Sequence, residues 1–101
     1  MDKIKSYLEN HICDVREIIY GLGVKFNSHQ FIEKFAYNYE AVYITWLYDN
    51  IDKRAFQTVH SQMARFLSDN KDALDIIKSP REDNINVFGN NTDVQFWERK
   101  S

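Results

Sequence analysis

The segment Asn27–Tyr48, NSHQFIEKFAYNYEAVYITWLY, decides how the chain folds. It holds seven aromatic residues and neither glycine nor proline. Asn27 suits an N-cap, which puts Gln30 at N3 as in a capping box, and Phe26 and Phe31 take the two hydrophobic-staple positions. The spacing predicts one helix from Asn27 or Ser28 to about Tyr48, roughly 30 Å long. Around Phe35, one face gathers Phe31, Ile32, Tyr39, Val42, Tyr43 and Trp46. On the opposite side Tyr37, Ala41, Ile44 and Tyr48 follow steps of four, three and four. An ordinary surface helix carries one apolar stripe. Two stripes make this helix central, or leave one of them for a partner.

Upstream, Ile4, Leu8, Ile12, Val15, Ile18, Ile19 and Leu22 recur at three- and four-residue steps. They predict a first helix over about Asp2–Tyr20, with Gly21 or Gly23 supplying the left-handed residue that ends it. Downstream, Asp52 is a suitable N-cap for a third helix with Phe56, Val59, Met63, Phe66 and Leu67 on its apolar face. Ser68-Asp69-Asn70 looks like a break before a short helix at Lys71–Lys78, yet Leu74 and Ile77 keep phase with Met63 and Phe66, as one continuous helix would. Pro80 ends either version.

The tail reads two ways. Ile85-Asn86-Val87 alternates as a strand does, and Gly89-Asn90-Asn91 is a turn. Thr92 and Gln95 fit a second capping box, which favours a short helix, while Val94 and Phe96 alternate as in a β-hairpin. The short helix is the preferred reading.

Composition narrows the function classes. A 101-residue chain of net charge -2, with 44% hydrophobic residues, 3 Gly and 1 Pro, is expected to form a single domain over 1–101. The lone Cys13 excludes an internal disulfide and a cysteine-based zinc site. No apolar run reaches the ~20 residues of a membrane span, and the first residues lack a signal-peptide core, so a cytoplasmic protein without a membrane partner is expected. His11, His29 and His60 lack metal-pair spacing, so no metal is expected. His11 reads as a core histidine donating to a backbone carbonyl. Cys13 and His11 point to different helix faces, and only a fold-made Cys13–His60 pair would suggest a nucleophile. No glycine loop cradles phosphate, so no cofactor and no catalytic residue is expected.

From Lys53 to Ser68 there is no acidic residue, while Lys53, Arg54 and Arg65 make the segment +3 against a remainder of -5. Its polar face collects Arg54, Gln57, Thr58, Ser61, Arg65 and Ser68, side chains able to contact phosphates and base edges. Gln62-Met63-Ala64-Arg65-Phe66-Leu67 is similar, over those six residues, to the first helix of a helix-turn-helix. The following Lys71–Lys78 carries Asp72 and Asp75, which phosphate repels, so helix three or the tail would do the reading. In the tail Phe96, Trp97, Arg99 and Lys100 set two aromatics beside two cations, either as a base-stacking patch or with Val94 and Trp97 packed onto the core.

The expectation is thus a mainly α fold, a three- to four-helix domain with a central aromatic helix and a short irregular C-terminal tail. The expected function is a protein–protein interaction module, homodimeric or bound to another protein through Tyr37, Ala41, Ile44 and Tyr48. The alternative is a helical DNA-binding regulator using Arg54, Gln57, Thr58, Ser61, Arg65 and Lys100.

Overall fold

Asn27 caps a helix as its sequence context requires. Its side chain accepts from the Gln30 N–H at 2.8 Å, and the Gln30 carboxamide accepts from the Asn27 N–H at 2.9 Å. Phe26 and Phe31 are both fully buried beside this box. The structure, a computed structural model, describes residues 3–85 and 91–100, with the backbone alone for 82–85 and 91–93. Its elements are α1 (Lys3–Asn10), α2 (Ile12–Gly21), β1 (Lys25–Asn27), α3 (Ser28–Asn38), α4 (Glu40–Asp49), α5 (Ala55–Asp69), β2 (Ile76–Ile85) and β3 (Asn91–Arg99). The protein is mainly helical, with a small antiparallel sheet in addition to the expected helices.

The helix predicted over Asn27–Tyr48 is two helices. Tyr39, at φ -127° and ψ 51°, ends α3 and starts α4. Aromatic packing explains the break. On one straight helix Phe35 and Trp46 would stand about 16 Å apart along the axis. Here their rings stack in parallel with centroids 5.3 Å apart, and Phe35 also stacks on Tyr39 at 5.0 Å. Turning the chain at Tyr39 buries Trp46 against the same ring that α3 already buries. The expected inner cluster survives in this bent form, with Phe31, Ile32, Phe35 and Trp46 buried and Tyr39, Val42 and Tyr43 packed against them.

The first helix is also divided, at His11. Its ring donates from Nδ1 to the Tyr7 carbonyl at 2.8 Å, and its backbone N–H reaches the same oxygen at 3.1 Å. The backbone at His11 leaves the helical region (φ -118°, ψ 34°). The ring lies flat on Tyr7, with centroids 4.0 Å apart. His11 therefore makes the expected backbone bond, half-buried at a helix joint rather than deep in the core. Of the two glycines offered as the stop, Gly23 takes the left-handed conformation (φ 97°).

α5 begins at Ala55, and its N-cap is Arg54 rather than Asp52. Arg54 is left-handed (φ 55°, ψ 69°) and makes no side-chain cap. Val59, Met63, Phe66 and Leu67 are fully buried as expected, whereas Phe56 is half exposed. Neither version of the helix expected up to Lys78 forms. The chain leaves α5 at Asn70 through turns in which Asn70 Nδ2 donates to the Phe66 carbonyl and Leu74 N–H to the Asn70 carbonyl. Asp75 (φ 57°) then swings the backbone into β2. The helical phase had singled out Ile77. In the strand it is Ile76 that is buried, and Ile77 is half exposed.

The tail is a hairpin, not the favoured short helix. β3 lies between β1 and β2 and is antiparallel to both, pairing Phe26 with Trp97 and Lys78 with Trp97. Pro80 falls within the register shift between Ser79 and Glu82 on an edge strand, where a residue without an N–H is tolerated. Trp97 is 1% exposed and donates from Nε1 to Ser28 Oγ at 3.1 Å, fastening the hairpin to α3. The sheet was hidden because a central strand can bury residues on both faces, which blurs alternation. The turn expected at Gly89–Asn91 lies, for its first two residues, outside the described residues, as do Asn86 and Val87 of the expected strand.

Candidate functional site

α4 is the least covered of the helices around the core. Seven of its ten residues are apolar or aromatic, yet only Trp46 is buried. Ala41 is exposed, Ile44 is 54% exposed and Tyr48 73%. Ile51, just beyond the helix, continues the line at 67%. Among the described residues Tyr37 is the most exposed large hydrophobic, at 85%, but it belongs to α3 and lines a shallow depression with Leu22, Gln30, Glu33 and Lys34. The four residues assigned to one stripe are therefore all exposed but divided by the bend at Tyr39. The continuous part is Ala41, Ile44, Tyr48 and Ile51.

The acid-free side of α5 forms a second surface. Lys53, Arg54, Gln57, Thr58, Ser61, Gln62 and Arg65 line one open depression. Arg54 Nη1 donates to Gln57 Oε1 at 3.3 Å, and Thr58 Oγ1 donates to the Lys53 carbonyl at 2.5 Å, so the start of the helix is tied to its own first turn. The hairpin widens this surface beyond what helical periodicity could indicate, because Arg65, Lys78 and Arg81 line an adjoining concavity with Ser61 and Ser68. Lys100 is not part of it. Its Nζ lies 3.8 Å from Asp72, and its N–H donates to the Asp75 carbonyl. The base-stacking patch does not form either: Trp97 and Phe96 are buried, and Arg99 lies 4.7 Å over the Tyr20 ring.

A third place had no signal in the sequence. Ser28, His29, Ile32, His60, Ser61, Ala64, Arg81, Val94 and Gln95 line an open depression of about 210 Å³ between the start of α3, the middle of α5 and the hairpin. His29 and His60 are 31 positions apart on different helices, so no local spacing could pair them, and Arg81 lay in what read as a polar loop. Burial lowers the basicity of the His60 ring to a pKa of about 4, with His29 adding to the effect. Burial, then the charge of Arg81, lowers that of His29. Tyr43 Oη and His60 Nε2 share a hydrogen bond of 2.6 Å, and burial raises the Tyr43 pKa. Cys13 is exposed on α2 and does not line the depression, so the fold makes no Cys13–His60 pair there.

Among the described residues no group of three or more His, Cys, Asp or Glu side chains is placed to hold a metal ion. No helix among them is long and apolar enough to cross a membrane. In comparisons with known proteins, no family model, no curated protein and no solved structure matches this chain.

Proposed function

We propose that the protein is a non-catalytic interaction module that pairs with a second copy of itself through the outer face of α4. The observation that carries this reading is an apolar helix with a single buried side chain. A helix apolar on all sides is ordinarily enclosed, and Ile44, Tyr48 and Ile51 are the side-chain types that close such a surface. A second copy suits the charges. The net charge of -2 opposes self-association little. In an antiparallel crossing, Glu40 of each copy faces the 49–54 corner of the other, where Lys53 and Arg54 stand beside Asp49 and Asp52. That gives the mixed, polar rim expected around an apolar centre. Sedimentation should show a concentration-dependent dimer, and Ile44→Asp with Tyr48→Asp should give a folded monomer. Tyr37→Asp, on α3, should leave the dimer intact. A wild-type chain that stays monomeric at high concentration sinks the reading.

A second reading is favoured by the basic surface that α5 shares with β2. Lys53, Arg54, Arg65, Lys78 and Arg81 form a cationic tract on which a DNA backbone could lie, and a dimer would present two copies of it. DNA retention should then fall with salt and be lost in Arg54→Glu/Arg65→Glu. No retention at low salt rules it out.

A further inference from the structure

We infer, resting on the pairing proposed above, that the self-pairing face is the corner α4 makes with α5. Phe56 of α5 packs against the start of the second copy's α4, over the partner's Ala41.

Area is the first reason. A stable interface takes ~800 Å² from each partner. α4 has ten residues, so it presents one side of a rod about 15 Å long and ~10–12 Å wide. That strip is too small to supply the area. The face must continue onto a neighbouring element, and two directions are open.

One direction is α3, where Tyr37 stands 85% exposed. The bend at Tyr39 comes between, and Tyr37 opens onto the depression it shares with Leu22, Gln30, Glu33 and Lys34, none of them from α4. The other direction is α5. Ile51 carries the apolar line off the end of α4, and Phe56 takes it up in the first turn of α5 at 49% exposed. Ring contacts join the two helices on this side. Tyr43 and His60, already linked by their hydrogen bond, stack with centroids 5.9 Å apart. The Phe56 ring lies 5.9 Å from His60, tilted by 57°. Tyr43, His60 and Phe56 thus form a row of rings across the α4–α5 seam.

Phe56 itself is the second reason. Val59, Met63, Phe66 and Leu67 of the same helix are fully buried, while Phe56 keeps half its surface in solvent. A large aromatic buries ~150–250 Å², so about 100 Å² of this side chain is left to be covered. Two-fold pairing selects what covers it. In an antiparallel crossing, the α4–α5 connection of one copy meets the start of α4 in the other. Ala41 is exposed there and has little bulk to oppose a ring. Glu40 beside it meets the corner that carries Lys53 and Arg54.

Sedimentation of the full chain tests this. Phe56→Ser should raise the dimer dissociation constant about tenfold or more, as for an aromatic anchor, with an unchanged circular dichroism spectrum. Phe56→Leu should restore most of the affinity. In a Cys13→Ser background, Phe56→Cys chains mixed with Ala41→Cys chains should give the mixed disulfide under air oxidation. Phe56→Cys mixed with Tyr37→Cys should not. A dimer that Ile44→Asp with Tyr48→Asp abolishes and Phe56→Ser leaves unchanged overturns this inference and spares pairing through α4. A wild-type chain that is monomeric at high concentration overturns both. Loss of the dimer in Tyr37→Asp overturns it too, by moving the second half of the face to α3. Should Phe56→Ser unfold the chain, the cross-linking decides, and absence of the Phe56→Cys/Ala41→Cys product overturns the inference.

Discussion

Asn27 is where three structural events meet: it ends β1, caps α3 and lies against the buried Phe26–Trp97 pairing. Asn27→Ala removes the acceptor for the Gln30 N–H and should cost about 1–2 kcal/mol in a thermal or denaturant melt. This residue was legible because a cap, its N3 partner and a staple are local patterns. His60 was not, because its environment is assembled by α4 and by a histidine from another helix. Its pKa falls from 6.5 in the unfolded chain to about 4 in the folded one, so the folded state favours the neutral ring. Stability from this source is complete above pH ~6.5 and declines as pH drops towards 4, where the unfolded chain binds the extra proton. The ring is only partly enclosed, so the loss should be on the order of 1–2 kcal/mol. In His60→Phe, which cannot take up a proton, unfolding measured between pH 7 and 4 should lose that share of its acid sensitivity. An unchanged acid profile would remove the claim.

At the scale of elements, the bend between α3 and α4 separates what periodicity can and cannot announce. A 3.6-residue repeat assigned Phe31, Ile32, Phe35 and Trp46 to the interior correctly, because both halves of the segment are helical. One non-helical residue at Tyr39 leaves that repeat nearly untouched in the sequence while redirecting everything after it. The cost of the bend is met by stacking, and a double-mutant cycle between Phe35 and Trp46 should return a coupling of about 0.5–1.5 kcal/mol beyond lost burial. A straight helix would return none. The same bend divides the predicted Tyr37–Tyr48 stripe, leaving Ile44 and Tyr48 as its continuous part. In the sequence β3 reads as a helix for a different reason. Thr92 and Gln95 carry a cap-like spacing, and what decides against it is tertiary, the slot between β1 and β2 that Trp97 fills.

Over the whole molecule, charge and topology follow different partitions. Lys5, Arg16 and Lys100 pair with Asp69, Asp75 and Asp72 around the 69–75 turns, at 3.4, 3.7 and 3.8 Å, while the cations of α5 and β2 gather elsewhere. The overall charge of -2 was legible at once, and the uneven charge of the 53–68 segment too. The contribution of Lys78 and Arg81 was not, since it depends on the hairpin. Topology makes that hairpin part of the core. Trp97→Ala should lower stability by about 3–5 kcal/mol, as for a buried aromatic, and lose the Ser28 bond as well. A small loss in a urea melt would show the tail to be dispensable. Because the central strand of the order β1-β3-β2 is the last to be synthesised, the three-residue β1 has no strand partner while a ribosome makes the helices. Until residues 91–99 leave the exit tunnel, Phe26 and Ser28 lack the tryptophan they are built to receive. A nascent chain whose helices formed first would carry an open seam there, and that seam is where a chaperone would find the most to hold.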